Sequence, residues 1–324
     1  MSYTPIIVFA YNRPDHLMQT LDALAKNTLA PQSELFIYCD GPKDRLAVSG
    51  ERLAEYETYL ASVEKTRNVA HVATGFKSVT VVEREKNIGL MNNIVGAVTE
   101  IVNRYGRVIV LEDDMITSPG TLQYFNDALE TYQDEEQVMH IVSYMFPHRW
   151  PLPETFFYSV PYPGGGWATW ARAWKYYPSD IDELYEYWKD KWSYFNYWNH
   201  DETDLVKQLV DNHNGTLRTW FIRWYAVLLK MGGLTLYPGK SMVTNIGFDG
   251  TGDNCTKLEH NPYWHEKLAP SISVKKYKCI KENKLAAHEI YAFHSGRWYN
   301  KRRRTKLFNQ IKKLFLNHSL SYSN

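Results

Sequence analysis

Short apolar runs alternate with helical spacings along the first third of the chain. Ile6-Ile7-Val8-Phe9-Ala10 is unbroken and β-branched, which predicts a buried strand. Asn12, Arg13 and Pro14 end it. Pro14 and Asp15 suit the first turn of a helix, and Leu17, Leu21 and Leu24 continue at helical spacing. Leu35-Phe36-Ile37-Tyr38-Cys39 predicts a second strand, closed by Asp40-Gly41-Pro42. Leu53, Tyr56, Leu60 and Val63 mark the next helix. Val79-Thr80-Val81-Val82 predicts a third strand. Asn87-Ile88-Gly89-Leu90 then turns into a helix running to about Asn103. Val108-Ile109-Val110-Leu111 predicts the fourth strand, and Glu112-Asp113-Asp114 follows it directly. This alternation predicts an α/β fold with a mostly parallel sheet.

Ligands of open α/β sheets bind beyond the carboxyl ends of the strands. Asn12-Arg13, Asp40-Gly41, Asn87-Ile88-Gly89 and Glu112-Asp113-Asp114 all fall at such ends, so they predict one cleft for a nucleotide and a cation. Three adjacent acids repel one another unless a cation sits there or one of them stays protonated. Oxygen ligands of this kind suit Mg²⁺ or Mn²⁺ together with substrate phosphates. A solvated acidic turn is the other reading. No G-x-G-x-x-G or G-x-x-x-x-G-K-[ST] occurs, which removes a dinucleotide fingerprint and a P-loop. The histidines show no metal-binding spacing, and no Ser/His/Asp set stands out.

The pattern changes in the second half. Between Phe146 and Trp198 lie 19 aromatic residues, seven of the chain's eleven tryptophans among them. Most read as a bulky core, but aromatic faces also suit sugar rings. Gly164-Gly165-Gly166 followed at once by Trp167 predicts a turn that lines the substrate. No run approaches the ~20 apolar residues of a membrane span, and the N-terminus has no basic region before its first strand. Cys39, Cys255 and Cys279 are few and scattered, which fits a reducing cytosol. The net charge of +1 hides an asymmetry, because eight basic residues and no acids lie in 297–324. Without them 29 basic residues face 36 acidic ones. The basic charge therefore belongs to the tail, and nucleic acid is not an expected partner of the body.

Together these residues resemble glycosyltransferases of the GT-A fold. The likeness is to the inverting family-2 type of bacterial surface-polysaccharide clusters and, more distantly, to N-acetylglucosaminyltransferase I. The resemblance covers roughly Ile6 to Cys255. It implies a GT-A (Rossmann-like) α/β fold with a mixed, mostly parallel sheet. The implied organisation is a glycosyltransferase domain over 1–255 (nucleotide-binding half 1–115, acceptor-binding half 116–255), an extension over 256–296 and a basic amphipathic tail over 297–324. It makes Glu112-Asp113-Asp114 a "DxD-like" motif, with Asp114 as direct ligand of Mn²⁺ or Mg²⁺ and Asp113 facing donor hydroxyls. Ala10, Asn12 and Arg13 fall at nucleotide-contacting positions, Asp40 at the acid that reads the base, and Asn87 and Gly89 in the loop bordering the nucleotide. Gly166 and Trp167 resemble the Gly-Trp segment at the donor-sugar end. The stretch 245–252 matches a glycine-rich segment that closes over the donor. Trp220-Phe221-Ile222-Arg223-Trp224 falls where relatives read Trp-Asp-x-x-Trp, but Phe221 stands in place of the acid that serves as base.

The implied reaction moves a sugar, hexosyl or N-acetylhexosaminyl, from a nucleotide-sugar such as a UDP-sugar to an acceptor hydroxyl with inversion. The acceptor would be a glycan or a lipid-linked glycan. With Phe221 in the acid's place, the candidates for the base are Asp249, Asp201, Glu202 and Asp204, with Asp249 preferred for its place between glycines in a loop. Residues 201–204 also read as the acidic first turn of a helix. Arg223 either pairs with donor diphosphate or an acid, or lies on a helix surface. A non-catalytic carbohydrate- or nucleotide-sugar-binding module of the same fold is the alternative function. In the tail, Leu307, Phe308, Ile311, Leu314 and Phe315 share one helical face flanked by basic residues. That predicts a cytoplasmic enzyme lying peripherally on an anionic membrane surface. Docking on the protein's own body, a dimer contact or a nucleic-acid patch are the other readings of the tail.

Overall fold

The computed structural model describes residues 3–44, 53–192, 195, 205–252, 261 and 263–295. Asp201, Glu202, Asp204, Cys255 and the tail over 297–324 lie outside the described residues.

The four expected strands form where the apolar runs predict them. They are β1 (Ile6–Ala10), β2 (Glu34–Cys39), β3 (Ser78–Glu83) and β4 (Arg107–Glu112), paired in parallel in the order β3-β2-β1-β4. Helix α1 (Pro14–Ala25) follows β1, α2 (Leu53–His71) precedes β3, and α3 (Leu90–Tyr105) joins β3 to β4. Helical crossovers cover both faces of a parallel sheet, which is why β1 has no exposed position.

Beyond β4 the sheet continues as β8 (Trp167–Trp170), β6 (Val138–Val142), β9 (Leu234–Pro238) and β7 (Thr155–Tyr158). Strand β8 runs antiparallel to both β4 and β6, and β7 antiparallel to β9. The result is a mixed, mostly parallel eight-stranded α/β sheet flanked by helices. No helix among the described residues is long and apolar enough to cross a membrane.

A second, two-stranded ribbon positions the site. Strand β5 (Met115–Thr117) follows the acid triplet and pairs antiparallel with β10 (Val243–Asn245). The register sets Asn245 opposite Met115, so the loop after β10 is delivered against Asp114.

The aromatic-rich segment forms core under the β8 side of the sheet. Trp167 stacks on His140 (5.3 Å between ring centroids), Trp174 (5.8 Å) and Trp220 (5.0 Å). Trp220 opens a helix over Trp220–Met231 whose Trp224 also packs in this layer. The last helix among the described residues, Lys284–His294, buries Ile290 and Phe293 and carries Glu289, which accepts from the Arg149 amide (2.7 Å).

Candidate functional site

Parallel pairing brings the ends of β1, β2, β3 and β4 to one edge, with Ala10 beside Cys39 and Phe9 beside Glu112. A cleft opens there. Ala10, Asn12, Arg13, Asp40, Asn87 and Gly89 line it from three strand-to-loop junctions, and Glu112, Asp113 and Asp114 line it from the fourth. Thr251 and Gly252 reach it from the loop after β10, and Leu90 and Asn93 from the start of α3.

Asp40 organises one wall. Its Oδ1 accepts from the Gly41 and Ile88 amides (2.8 and 3.0 Å) and its Oδ2 from Gly89 (3.1 Å). The Asn87 side chain donates to the Gly41 carbonyl (3.1 Å). Gly89 is the N-cap of α3 at φ 78°, a backbone state that favours glycine. Asp40 therefore ties the loop after β2 to the loop after β3, a role that the expectation of a base-reading acid did not include.

Arg13 organises the other wall. It sits at the N-cap of α1, where Leu17 N–H closes the first helical bond onto its carbonyl (3.0 Å). Its guanidinium crosses from the end of β1 to the end of β4. Nη2 donates to Asp113 Oδ1 and to Asp114 Oδ2 (3.0 Å), and Nε to Asp113 Oδ2 (3.4 Å). Thr20 fixes the triplet's backbone, donating to the Asp113 carbonyl (2.6 Å) and accepting from the Met115 amide (3.1 Å). Asn245 donates to Asp114 Oδ1 (3.3 Å).

The electrostatics follow from this geometry. Burial, and then the charges of Asp114 and Asp113, push the Glu112 carboxyl up to about 8. Burial also raises Asp113, to about 6, although Arg13 opposes the shift. Burial works against the Arg13 charge, but its two acidic partners outweigh that and hold its proton more tightly than usual.

The donor set suits a small hard cation. Two carboxylates beside a cleft that phosphates can enter are the share a protein gives Mg²⁺ or Mn²⁺. The protein does not complete a shell, because no group of three or more His, Cys, Asp and Glu is arranged around an ion among the described residues. Asp114, expected as a direct metal ligand, is here paired with Arg13, as is Asp113.

Other expected residues lie elsewhere. Trp167 is 1% exposed and belongs to the stacked core, and neither it nor Gly166 is among the cleft-lining residues. A Cβ on Gly165 would fall 2.1 Å from Tyr144 Cβ, and one on Gly166 3.2 Å from Ser143 Oγ. Arg223 is not among the cleft-lining residues, and its Nε lies 3.5 Å from Asn212 Oδ1 on the neighbouring helix, Leu205–His213. Asp249 stands just outside the cleft. Its Oδ1 accepts from the Thr251 amide (3.0 Å) and hydroxyl (2.7 Å), and its Oδ2 lies 3.2 Å from His16 Nε2. Slight burial would raise the Asp249 carboxyl, but the Thr251 hydrogen bonds and His16 hold it below the usual range. His16 escaped the sequence reading. Its one sequence signal is the three-residue spacing from Arg13, which places both on one side of the first helical turn.

No family model matches the chain, and neither does any curated protein. Among solved structures it is similar to S. aureus TarS at 20% identity and a TM-score of 0.28, over 48% of this chain and 23% of that one. The 1–349 portion of TarS matches at 19% identity and a TM-score of 0.28, over 48% of this chain and 41% of that one. Galactosyltransferase LgtC, solved with donor and acceptor sugar analogues, matches at 10% identity and a TM-score of 0.36, over 72% of each chain. The chain thus spans less than half the length of either TarS structure. Likenesses this distant leave the chemistry to be argued from the site.

Proposed function

We propose that this protein transfers a sugar from a nucleotide-sugar donor to an acceptor hydroxyl. The observation that carries this reading is the convergence of four strand-to-loop junctions on one cleft with two kinds of wall. One wall, 87–89, is held in shape by Asp40. The other is an arginine between two carboxylates. A ligand that is anionic in its middle and rich in hydroxyls at its ends matches such a lining. A nucleoside diphosphate sugar is that kind of molecule.

Arg13 is the group that faces the diphosphate, and Asp113 and Asn12 offer partners to hydroxyls. A divalent cation held by Asp114 and Asp113 would, when bound, neutralise charge growing on the leaving diphosphate. The anomeric carbon becomes oxocarbenium-like as that bond breaks. Attack by the acceptor hydroxyl from the opposite face inverts the centre, and a carboxylate takes the hydroxyl proton. Asp249 is the candidate for that base, with His16 orienting it. The donor would be a UDP-sugar or related nucleotide sugar carrying a hexosyl or N-acetylhexosaminyl group, and the acceptor a glycan or lipid-linked glycan of a bacterial surface polysaccharide. We place the reaction at the cytoplasmic membrane face, with the basic tail on anionic lipid.

A thermal-shift screen of UDP-, GDP-, dTDP- and CMP-sugars with Mn²⁺ tests the donor, since a ligand of the folded state raises the melting temperature by mass action. One nucleotide class is expected to stabilise the protein, and no shift with any of them would overturn the reading. Asp249→Asn is expected to keep donor binding and to slow transfer by about 10² to 10⁴. Donor binding without turnover in the wild-type protein would favour a sugar-nucleotide-binding module instead.

A further inference from the structure

Arg13 occupies the place that a divalent ion would take between Asp113 and Asp114. Its Nη2 bonds one oxygen of each carboxylate, and its Nε a second oxygen of Asp113. The carboxylates are 5% and 6% exposed and Arg13 14%, so water screens the trio little. A divalent cation held by Asp113 and Asp114 would need the space beside their oxygens that the guanidinium fills. A dication and a guanidinium repel in that space, so ion and arginine exclude each other.

The way out for Arg13 is also defined. A Cβ on Gly247 would lie 2.1 Å from Asp114 Oδ2 and 3.1 Å from Arg13 Nη1, so the loop after β10 is packed hard against the pair. That side is closed to the side chain. The cleft, which Arg13 lines, is open. Nη1, the nitrogen nearest Gly247, makes no hydrogen bond among the described residues, so only the Nη2 and Nε bonds hold the guanidinium on the carboxylates. A bidentate guanidinium–phosphate pair is a strong alternative to the carboxylates. Charge balance points the same way. A diphosphate alone would add negative charge beside two carboxylates and one arginine. A diphosphate arriving with a dication adds nearly none.

We infer that Arg13 is a built-in competitor for the metal position. It neutralises Asp113 and Asp114 in the empty enzyme and yields them to a divalent cation only when a nucleoside diphosphate draws the guanidinium into the cleft. The inference rests on the nucleotide-sugar reading for the identity of the anion. It makes cation and nucleotide bind as a coupled pair, each raising the other's affinity by the same factor.

The experiment is a Mn²⁺ titration of the full chain, read by the electron paramagnetic resonance of free Mn²⁺, with and without UDP or GDP. In wild type, nucleotide is expected to raise Mn²⁺ affinity by about tenfold or more, within the usual span of such couplings. In Arg13→Met, Mn²⁺ affinity without nucleotide is expected to rise by a similar factor, an effect that mere disruption of the site would reverse. Equal wild-type Mn²⁺ affinity with and without a nucleotide that binds would overturn the inference, and that measurement needs no variant. An unchanged or weaker nucleotide-free affinity in a folded Arg13→Met protein would overturn it too. If neither nucleotide binds with or without Mn²⁺, the donor reading fails. The nucleotide-free comparison of the two proteins then still decides the competition.

Discussion

Glu112, Asp113 and Asp114 are neighbours in sequence and differ in their partners. Asp113 and Asp114 share a guanidinium, whereas Glu112, half-buried at the cleft, is raised to about 8 mainly by desolvation. The sign of the resulting pH dependence is fixed. The folded protein keeps the Glu112 proton at pH values where the unfolded chain, near 4.5, has lost it. Folding is therefore favoured below that value and loses stability as pH rises towards about 8. Glu112→Gln is expected to remove this decline. In denaturant unfolding the variant should be more stable than wild type at pH 8, by on the order of 1–3 kcal/mol, with a much smaller gap at pH 5.

At the scale of elements, the cleft depends on loops that touch. A Cβ on Gly41 would fall 2.4 Å from the Lys86 carbonyl carbon and 2.6 Å from the Arg84 carbonyl oxygen. Backbone cannot retreat as a side-chain tip does, so the loops after β2 and β3 would separate. Gly41→Ala is expected to lower stability by about 1–3 kcal/mol, the scale of overpacking, and to weaken nucleotide binding by loosening the amides that Asp40 gathers. Gly96 provides the contrast. It is exposed inside α3, and a Cβ there meets nothing within 4 Å. Gly96→Ala is expected to stabilise the protein by up to about 1 kcal/mol through helix propensity. Thermal and urea unfolding of the two variants side by side checks both signs.

Across the whole molecule, the sheet divides its labour. Strands β1–β4 carry the cleft, and the β8 side carries a stacked aromatic layer around His140. That histidine is buried, stacks on Trp167 and accepts at Nδ1 from the Trp224 indole N–H (3.1 Å). Burial pushes it down to about 3. It stays neutral in the fold while the unfolded chain takes up a proton below about 6.5, so acid favours unfolding. His140→Phe is expected to be less stable at pH 7 by about 1–3 kcal/mol, because the Trp224 donor loses its acceptor. Between pH 7 and pH 4 the variant should lose less stability than wild type. Denaturant curves of both proteins at the two pH values read the difference, and equal losses would refute a neutral, buried His140.

The sequence by itself determined the strand–helix order of the first third and the edge at which the cleft lies. Ile6–Ala10, for example, is apolar at every position, and only a strand covered on both faces satisfies that pattern. Since polar clusters follow such strands and parallel pairing aligns their ends, it was legible that Asn12, Arg13, Asp40, Asn87, Gly89 and the acid triplet line one cleft. Tertiary structure decided what those residues do to one another. Nothing in the sequence says that Arg13 reaches Asp113 and Asp114, because that depends on β1 and β4 being neighbours although about a hundred positions separate them. Nor does it tell a tryptophan that lines a substrate from one that stacks in the core. Trp167 follows three glycines in either case, and only the packing of β8 against His140 and Trp220 buries it. Local pattern fixes which residues face a strand's end or its core, and long-range packing fixes their partners.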